Sequence, residues 1–315
     1  MHLAPGFVDK VSRIFGDTRR AWLHELPSIV ESCRELWHLP QGTICDVVAM
    51  SYIEFTALPD GTPVALKIIV PHEELYTEME SLALYQGRGA VRLIAADRDL
   101  GAVLLQRAVP GTMLWQHGNN REQTRIAAEA MKALHIPEPA HHGMPHFSRW
   151  VERAFRLTRS EWDPEERMPR DLLDRAEQAF ASLTDDRSHD VVLHGDLHHE
   201  NLLWDETDGW IVIDPKGVIG PHCLEVGRFI QNQLPDKHWS GAAEALVRER
   251  IEVLHEVLEI EPEDLAAAAL VDCVLSHVWS FEDNGPLHVD WYRGIDLARF
   301  LVSLLPDRPQ EAHHP

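Results

Sequence analysis

Apolar residues recur every three to four positions over 15–38, where Trp22, Leu23, Leu26, Ile29, Val30, Cys33, Leu36 and Trp37 predict a helix. Pro40, Gly42 and Thr43 end it. Segments 44–49 and 52–58 then read as paired strands, and the turn Pro59-Asp60-Gly61 leads into a third strand over 64–70. A helical window follows at 73–86, with Leu75, Met79 and Leu82 on one face and Gly87 and Gly89 beyond its end. Segments 91–96 and 102–106 predict two more strands about a turn at 97–101. The period changes past Val109-Pro110-Gly111. Helical windows lie at about 120–135, 147–159, 170–183, 221–234, 240–259, 262–281 and 289–304, interrupted by a β-rich island at 191–193, 202–204 and 210–213. The tail 307–315 is polar and reads as frayed. The predicted class is α+β in two lobes: a helical extension over 1–40, a small antiparallel-sheet lobe with one helix over 41–109, and a larger helical lobe with a small hairpin over 110–315.

A length of 315 residues suits two lobes better than one core, and 44% hydrophobic with 25% charged residues is the composition of a soluble globular chain. No run of eighteen apolar residues occurs, so no transmembrane helix is expected. The first twenty residues lack a basic segment followed by an apolar one, which points to a cytoplasmic protein. Cys33, Cys45, Cys223 and Cys273 form no CxxC pair and are expected as free thiols. The net charge of −22 disfavours nucleic acid and anionic membranes as partners and favours a cationic small molecule. Nothing in the pattern indicates an oligomeric state.

The chemistry concentrates at His194-Gly195-Asp196-Leu197-His198-His199-Glu200-Asn201, which has the H-x-D-L-x-x-x-N spacing of the protein-kinase catalytic loop, with Gly195 where protein kinases carry Arg. Such a loop offers Asp196 as the base for a hydroxyl proton and Asn201 as a ligand for Mg²⁺. Thirteen residues further on, the apolar run Ile211-Val212-Ile213 enters Asp214-Pro215-Lys216-Gly217, imitating a strand followed by DFG, with Asp214 as a second Mg²⁺ ligand. Upstream, Val64-Ala65-Leu66-Lys67 imitates the strand whose Lys binds nucleotide phosphates, and the next helix offers Glu73, Glu74, Glu78 and Glu80 as its partner. A surface lysine or a turn aspartate is the ordinary explanation for each piece alone; their common order is what points to phosphoryl transfer. A competing explanation takes His194, Asp196, His198 and His199 as transition-metal ligands of a hydrolase, but leaves Lys67, Asn201 and Asp214 without a role. A nucleotide-binding scaffold without activity would have lost one of these residues, and all are present.

HGDLHHEN followed by WIVIDPKGVIG resembles the aminoglycoside phosphotransferases, most closely the streptomycin 6-kinases grouped with hydroxyurea kinases. Gln86–Leu93 (QGRGAVRL), Leu104-Leu105-Gln106-Arg107 and Arg20-Ala21-Trp22-Leu23 extend the resemblance over about residues 20 to 300. It implies a bilobal protein-kinase-like fold, ATP (or GTP) and Mg²⁺ as cofactors, and an antibiotic hydroxyl as acceptor, with hydroxyurea or another small metabolite as the alternative. It implies Glu78 as the partner of Lys67, and the backbone about Gln106, Arg107 and Ala108 as the contact for the nucleotide base. Residues 43–52 depart from the family pattern: they contain no glycine, and Ala49 and Ser51 are the small residues left for the phosphates. Glu200, Glu225, Glu282, Asp283 and Asp290, with Trp279 and Trp291, are candidates to receive a polycationic sugar in the helical lobe.

Overall fold

The computed structural model describes residues 17–45, 51–160, 168–235, 239–284 and 290–306. Most of the predicted strand at 44–49 and the tail 307–315 lie outside them. The first helix, α1 (Asp17–Trp37), buries Trp22, Leu26, Val30 and Cys33 against a five-stranded antiparallel sheet. The strands are β1 (Thr43–Ile44), β2 (Tyr52–Ala57), β3 (Pro63–Ile68), β4 (Leu93–Asp97) and β5 (Ala102–Gln106), in spatial order β1-β2-β3-β5-β4. Alternation along β3 sends Val64, Leu66 and Ile68 into the core beneath α1, so Lys67 emerges on the opposite face. That face receives α2 (Glu73–Tyr85), whose Leu75, Met79, Leu82 and Tyr85 join Val103 and Leu105 in a core continuous with the larger lobe. The sheet thus separates two cores, and Lys67 points to the side shared with the larger lobe.

One carboxylate interrupts the outer core. Glu54 is fully buried; both its oxygens accept from Arg34 Nη2 at 2.8 Å, and it also accepts the Gly42 N–H at 2.5 Å and the Tyr52 hydroxyl at 2.5 Å. Burial and this carboxylate push the Tyr52 hydroxyl well above its ordinary pKa. Arg34→Met would leave a buried negative charge held only by neutral donors, and should cost about 3 kcal/mol of stability. Urea unfolding should show a lower midpoint with an unchanged slope; an unchanged midpoint would mean that α1 is held by its apolar stripe alone.

The larger lobe contains α3 (Asn120–Leu134), α4 (Phe147–Ser160), α5 (Arg170–Leu183), α6 (Val226–Gln231), α7 (Gly241–Leu258), α8 (Pro262–Asn284) and α9 (Asp290–Leu304). α8 is buried on all sides from Leu265 to Leu275 and packs against α4, α5, α6 and α9. The β-rich island is more than a hairpin. β6 (Pro110–Met113) joins β9 (Leu202–Asp205) and β10 (Gly209–Val212) in one three-stranded sheet; β7 (Ile136–Pro137) joins β8 (Asp190–Leu193) and β11 (Val218–Pro221) in another. The helix predicted over 221–234 is a 3₁₀ turn at His222–Glu225 followed by the short α6. Among the described residues, no helix is long and apolar enough to cross a membrane, and all four cysteines are free thiols.

Candidate active site

Two loops meet at the cleft: 194–201 between β8 and β9, and 213–217 between β10 and β11. They are bonded to one another. The Lys216 N–H donates to the His194 carbonyl at 2.7 Å, and the Ile213 N–H to the Asn201 carbonyl at 2.9 Å. His194 Nδ1 accepts the Asp196 N–H at 3.2 Å, so Nε2 carries the proton and donates it to the Ile213 carbonyl at 2.9 Å. Burial lowers the His194 pKa to about 4, which keeps this tautomer neutral. Gly195 has φ +79°, and a Cβ there would stand 2.8 Å from Val218 Cγ1 and 3.2 Å from Trp150. The arginine that protein kinases place at this position has no room here.

The Lys67 ammonium bonds Glu78 Oε1 at 2.6 Å and also contacts Asp214 Oδ1. Burial opposes its charge, but Asp214 and Glu78 together raise its pKa. Burial raises the Glu78 carboxyl despite Lys67, whereas Asp214 is held well below the usual carboxylate range because Lys67 and Lys216 outweigh its burial. Asp214 has φ +65° and a side chain 44% open to the cleft. Asn201 commits Nδ2 to the Asp196 carbonyl at 3.0 Å, leaving its amide oxygen as the remaining side-chain donor atom. The Asn201 amide oxygen and the Asp214 carboxylate, on loops joined by the Ile213–Asn201 bond, are hard oxygen ligands of the kind that could hold Mg²⁺ or Ca²⁺. The Lys216 ammonium lies 3.2 Å from Glu74 Oε2; although burial opposes its charge, Glu74, Asp214 and Asp196 raise its pKa. Thr77 on α2 bonds the Lys216 carbonyl, and Gly217 (φ +63°) lies so close that a Cβ would stand 2.4 Å from the Thr77 carbonyl oxygen.

The segment Glu225–Asn232 supports the catalytic loop from below. Glu225 is buried and accepts the N–H groups of His194 at 2.6 Å and Gly195 at 3.0 Å; burial pushes its carboxyl up to about 7 against the pull of those donors. With both oxygens committed to backbone, its place is to hold the loop, and the sequence-based expectation of contact with an acceptor is redirected accordingly. Asn232 Oδ1 binds His199 Nδ1 at 2.7 Å, and the His199 ring stacks on Phe229 at 4.2 Å. Arg250 of α7, 1% exposed, donates to the carbonyls of Phe229, Ile230 and Asn232 at 3.0, 2.8 and 2.5 Å and so caps α6. Its Nη2 reaches His199 Nε2 at 3.4 Å, and burial, aided by Arg250, lowers the His199 pKa to about 3. The ring nitrogens of His194 and His199 are therefore occupied by framework hydrogen bonds, which counts against the transition-metal alternative.

Gln106 ties the two lobes: its amide donates to Asp208 at 2.6 Å and accepts from Arg92 Nε at 3.2 Å. Arg107 donates its N–H to the Pro63 carbonyl at 3.3 Å and lays its guanidinium over Phe55, while Ala108 is buried at the junction. Ser51 is a bend immediately before β2, and residues 46–50 ahead of it lie outside the described residues. Glu200 binds His198 Nδ1 at 2.7 Å and Gln233; burial raises its carboxyl, yet these contacts bring it down to about 2. His198 Nε2 is 4.0 Å from Asp196 Oδ2, placing Glu200 one side chain from the candidate base. Glu282 is exposed and paired with Arg153 at 3.3 Å. The side chains of Asp283, Asp290 and Trp291 lie outside the described residues. Trp279 meets Trp150 edge-on at 5.7 Å and carries the Arg228 guanidinium 4.9 Å above its ring.

The chain matches the aminoglycoside/hydroxyurea antibiotic resistance kinase family over residues 36–285. It is 29% identical over 287 residues to a streptomycin 6-kinase of Streptomyces griseus, covering 90% of this chain and 92% of that protein. It is 30% identical over 288 residues to a hydroxyurea phosphotransferase of Kitasatospora aureofaciens, covering 86% and 78%. Its fold is similar to that of amicoumacin kinase hAmiN, solved with AMP-PNP, Ca²⁺ and Ami, with a TM-score of 0.56 at 14% identity, covering 90% of this chain and 95% of the other. The chain belongs to the aminoglycoside/hydroxyurea antibiotic resistance kinases and is a phosphotransferase of bilobal, protein-kinase-like fold.

Proposed function

We propose that the protein transfers the γ-phosphoryl group of ATP to the 6-hydroxyl of streptomycin. The observation that carries the chemistry is the contact of Lys67 with both Glu78 and Asp214, the latter on the loop bonded to the one that carries Asp196 and Asn201. In this scheme Asp196 takes the proton of the acceptor hydroxyl as the new O–P bond forms and the bond from phosphorus to the bridging oxygen breaks. Lys67, oriented by Glu78, binds the nucleotide phosphates. Asn201 and Asp214 hold Mg²⁺, which when bound neutralises charge on those phosphates. The backbone about Gln106–Ala108 receives the nucleotide base, and Ser51 lies beside the phosphates; GTP is the alternative donor. A cytoplasmic setting fits a nucleotide-dependent reaction.

The acceptor assignment draws on the streptomycin 6-kinase relative and on the net charge of −22, which suits the permanently charged guanidinium groups of streptomycin. Since Glu282 is paired with Arg153, attraction falls to the field of the whole protein rather than to that residue. Raising the salt from about 0.1 M to about 1 M shortens the screening length from about 10 Å to about 3 Å. KM for streptomycin should therefore rise with salt while kcat changes less, and Glu282→Gln should leave both nearly unchanged. Purified protein offered streptomycin, kanamycin and hydroxyurea should yield streptomycin bearing one added phosphoryl group by mass spectrometry, and cells expressing it should tolerate streptomycin better than kanamycin. The hydroxyurea phosphotransferase relative supports the second acceptor; streptomycin returned unmodified beside phosphorylated hydroxyurea would select it.

A further inference from the structure

The supporting segment touches the catalytic loop at three successive points. Glu225 holds the backbone of His194 and Gly195, and Asn232 holds His199. Between them, Arg228 reaches the carboxylate of Asp196 itself: Nε lies 3.1 Å from Oδ1. Nε is buried and makes no hydrogen bond, so the contact is one of charge with charge rather than an aligned donor. The guanidinium also lies over the Trp279 ring, 4.9 Å from its centroid. Burial alone would disfavour its charge, but Asp272 and Asp196 more than restore it. Arg250 fixes the peptide carrying it by capping Phe229, Ile230 and Asn232.

We propose that Arg228 is a positioning residue for the general base: seated on Trp279, it occupies Oδ1 of Asp196 and leaves Oδ2 to accept the hydroxyl proton. This rests on the assignment of Asp196 as the base. A carboxylate in a solvated cleft can rotate about its Cβ–Cγ bond, and a proton acceptor that turns away from the reacting oxygen is lost to the reaction. A cation beside a carboxylate makes it a weaker base. In phosphoryl transfer that loss weighs little, because the loose transition state depends more on placement than on basicity. Arg228 therefore gains more by orienting Asp196 than it loses by attracting its charge.

The test is a comparison of Arg228→Gln, Arg228→Lys and Arg228→Ala, with Asp196→Asn as the reference. Misplacing a reacting group by about 1 Å can cost about 10²-fold in rate, so Arg228→Gln should lose up to about 10²-fold in kcat with the nucleotide KM within about twofold of the parent. Arg228→Lys should recover part of the loss. Guanidinium chloride added to Arg228→Ala should restore kcat by refilling the vacated seat, and should not restore Arg228→Gln, whose side chain still occupies it. A kcat for Arg228→Gln within about threefold of the parent, a fall in kcat matched by a rise in nucleotide KM, or an equal response of the two variants to guanidinium would overturn the proposal. Full activity of Asp196→Asn would instead remove the base assignment.

Discussion

Asp196→Asn is expected to lower kcat by about 10²–10⁴-fold. The substitution keeps the shape of the side chain and the backbone contacts that place it, including the N–H bonded to His194 and the carbonyl bonded to Asn201. What it removes is an oxygen able to take a full proton at the moment the acceptor oxygen bonds to phosphorus. Nucleotide binding should survive, because Lys67, Glu78 and Asp214 reach the site from other elements. Steady-state kinetics with a separate nucleotide titration distinguish the two effects. Undiminished kcat would exclude Asp196 as the base, and loss of nucleotide affinity would mean that the loop depends on the carboxylate for its shape.

Asp214→Ala should have the larger effect and abolish measurable turnover. Its carboxylate is the charged oxygen of the proposed Mg²⁺ donor set and also a partner of Lys67, so one substitution removes a cation ligand and loosens the phosphate-binding lysine. Nucleotide binding measured with and without Mg²⁺ should lose its dependence on the metal. Asn201→Ala should retain more activity, since it removes a neutral ligand that water can replace. Persisting Mg²⁺-dependent binding in Asp214→Ala would place the cation elsewhere.

That Lys67, Glu78 and Asp214 would meet, beside the loop of Asp196 and Asn201, was legible because strand parity and loop spacing carry it. Lys67 had to face away from Val64, Leu66 and Ile68, and the paired loops announce themselves by residue type and order. The supporting segment was not legible, because its contacts span about thirty residues of sequence and engage backbone groups that carry no residue signature. Glu225 drew attention as an acid, yet its partners are two N–H groups. A signal for Arg250 was available: Val247, Ile251 and Leu254 mark the buried face of α7, and an arginine at the same face implies a buried task. Glu54 gave the same kind of signal, sharing the buried parity of Tyr52 on β2. The strands β6, β7 and β11 are two to four residues long and contain proline or glycine, so no period could reveal them; they exist because β8 and β9 offer them partners across the sheet.

The packing of Gly217 beneath Thr77 has a consequence for control. The Thr77 hydroxyl holds the Lys216 carbonyl, its own carbonyl crowds Gly217, and Glu78 on the next residue already grips Lys67. A switchable kinase turns itself off by rotating this helix or reversing this loop, and either motion here would break both attachments together. Helix and loop are thus coupled as one piece: neither can leave this arrangement while the other stays in it.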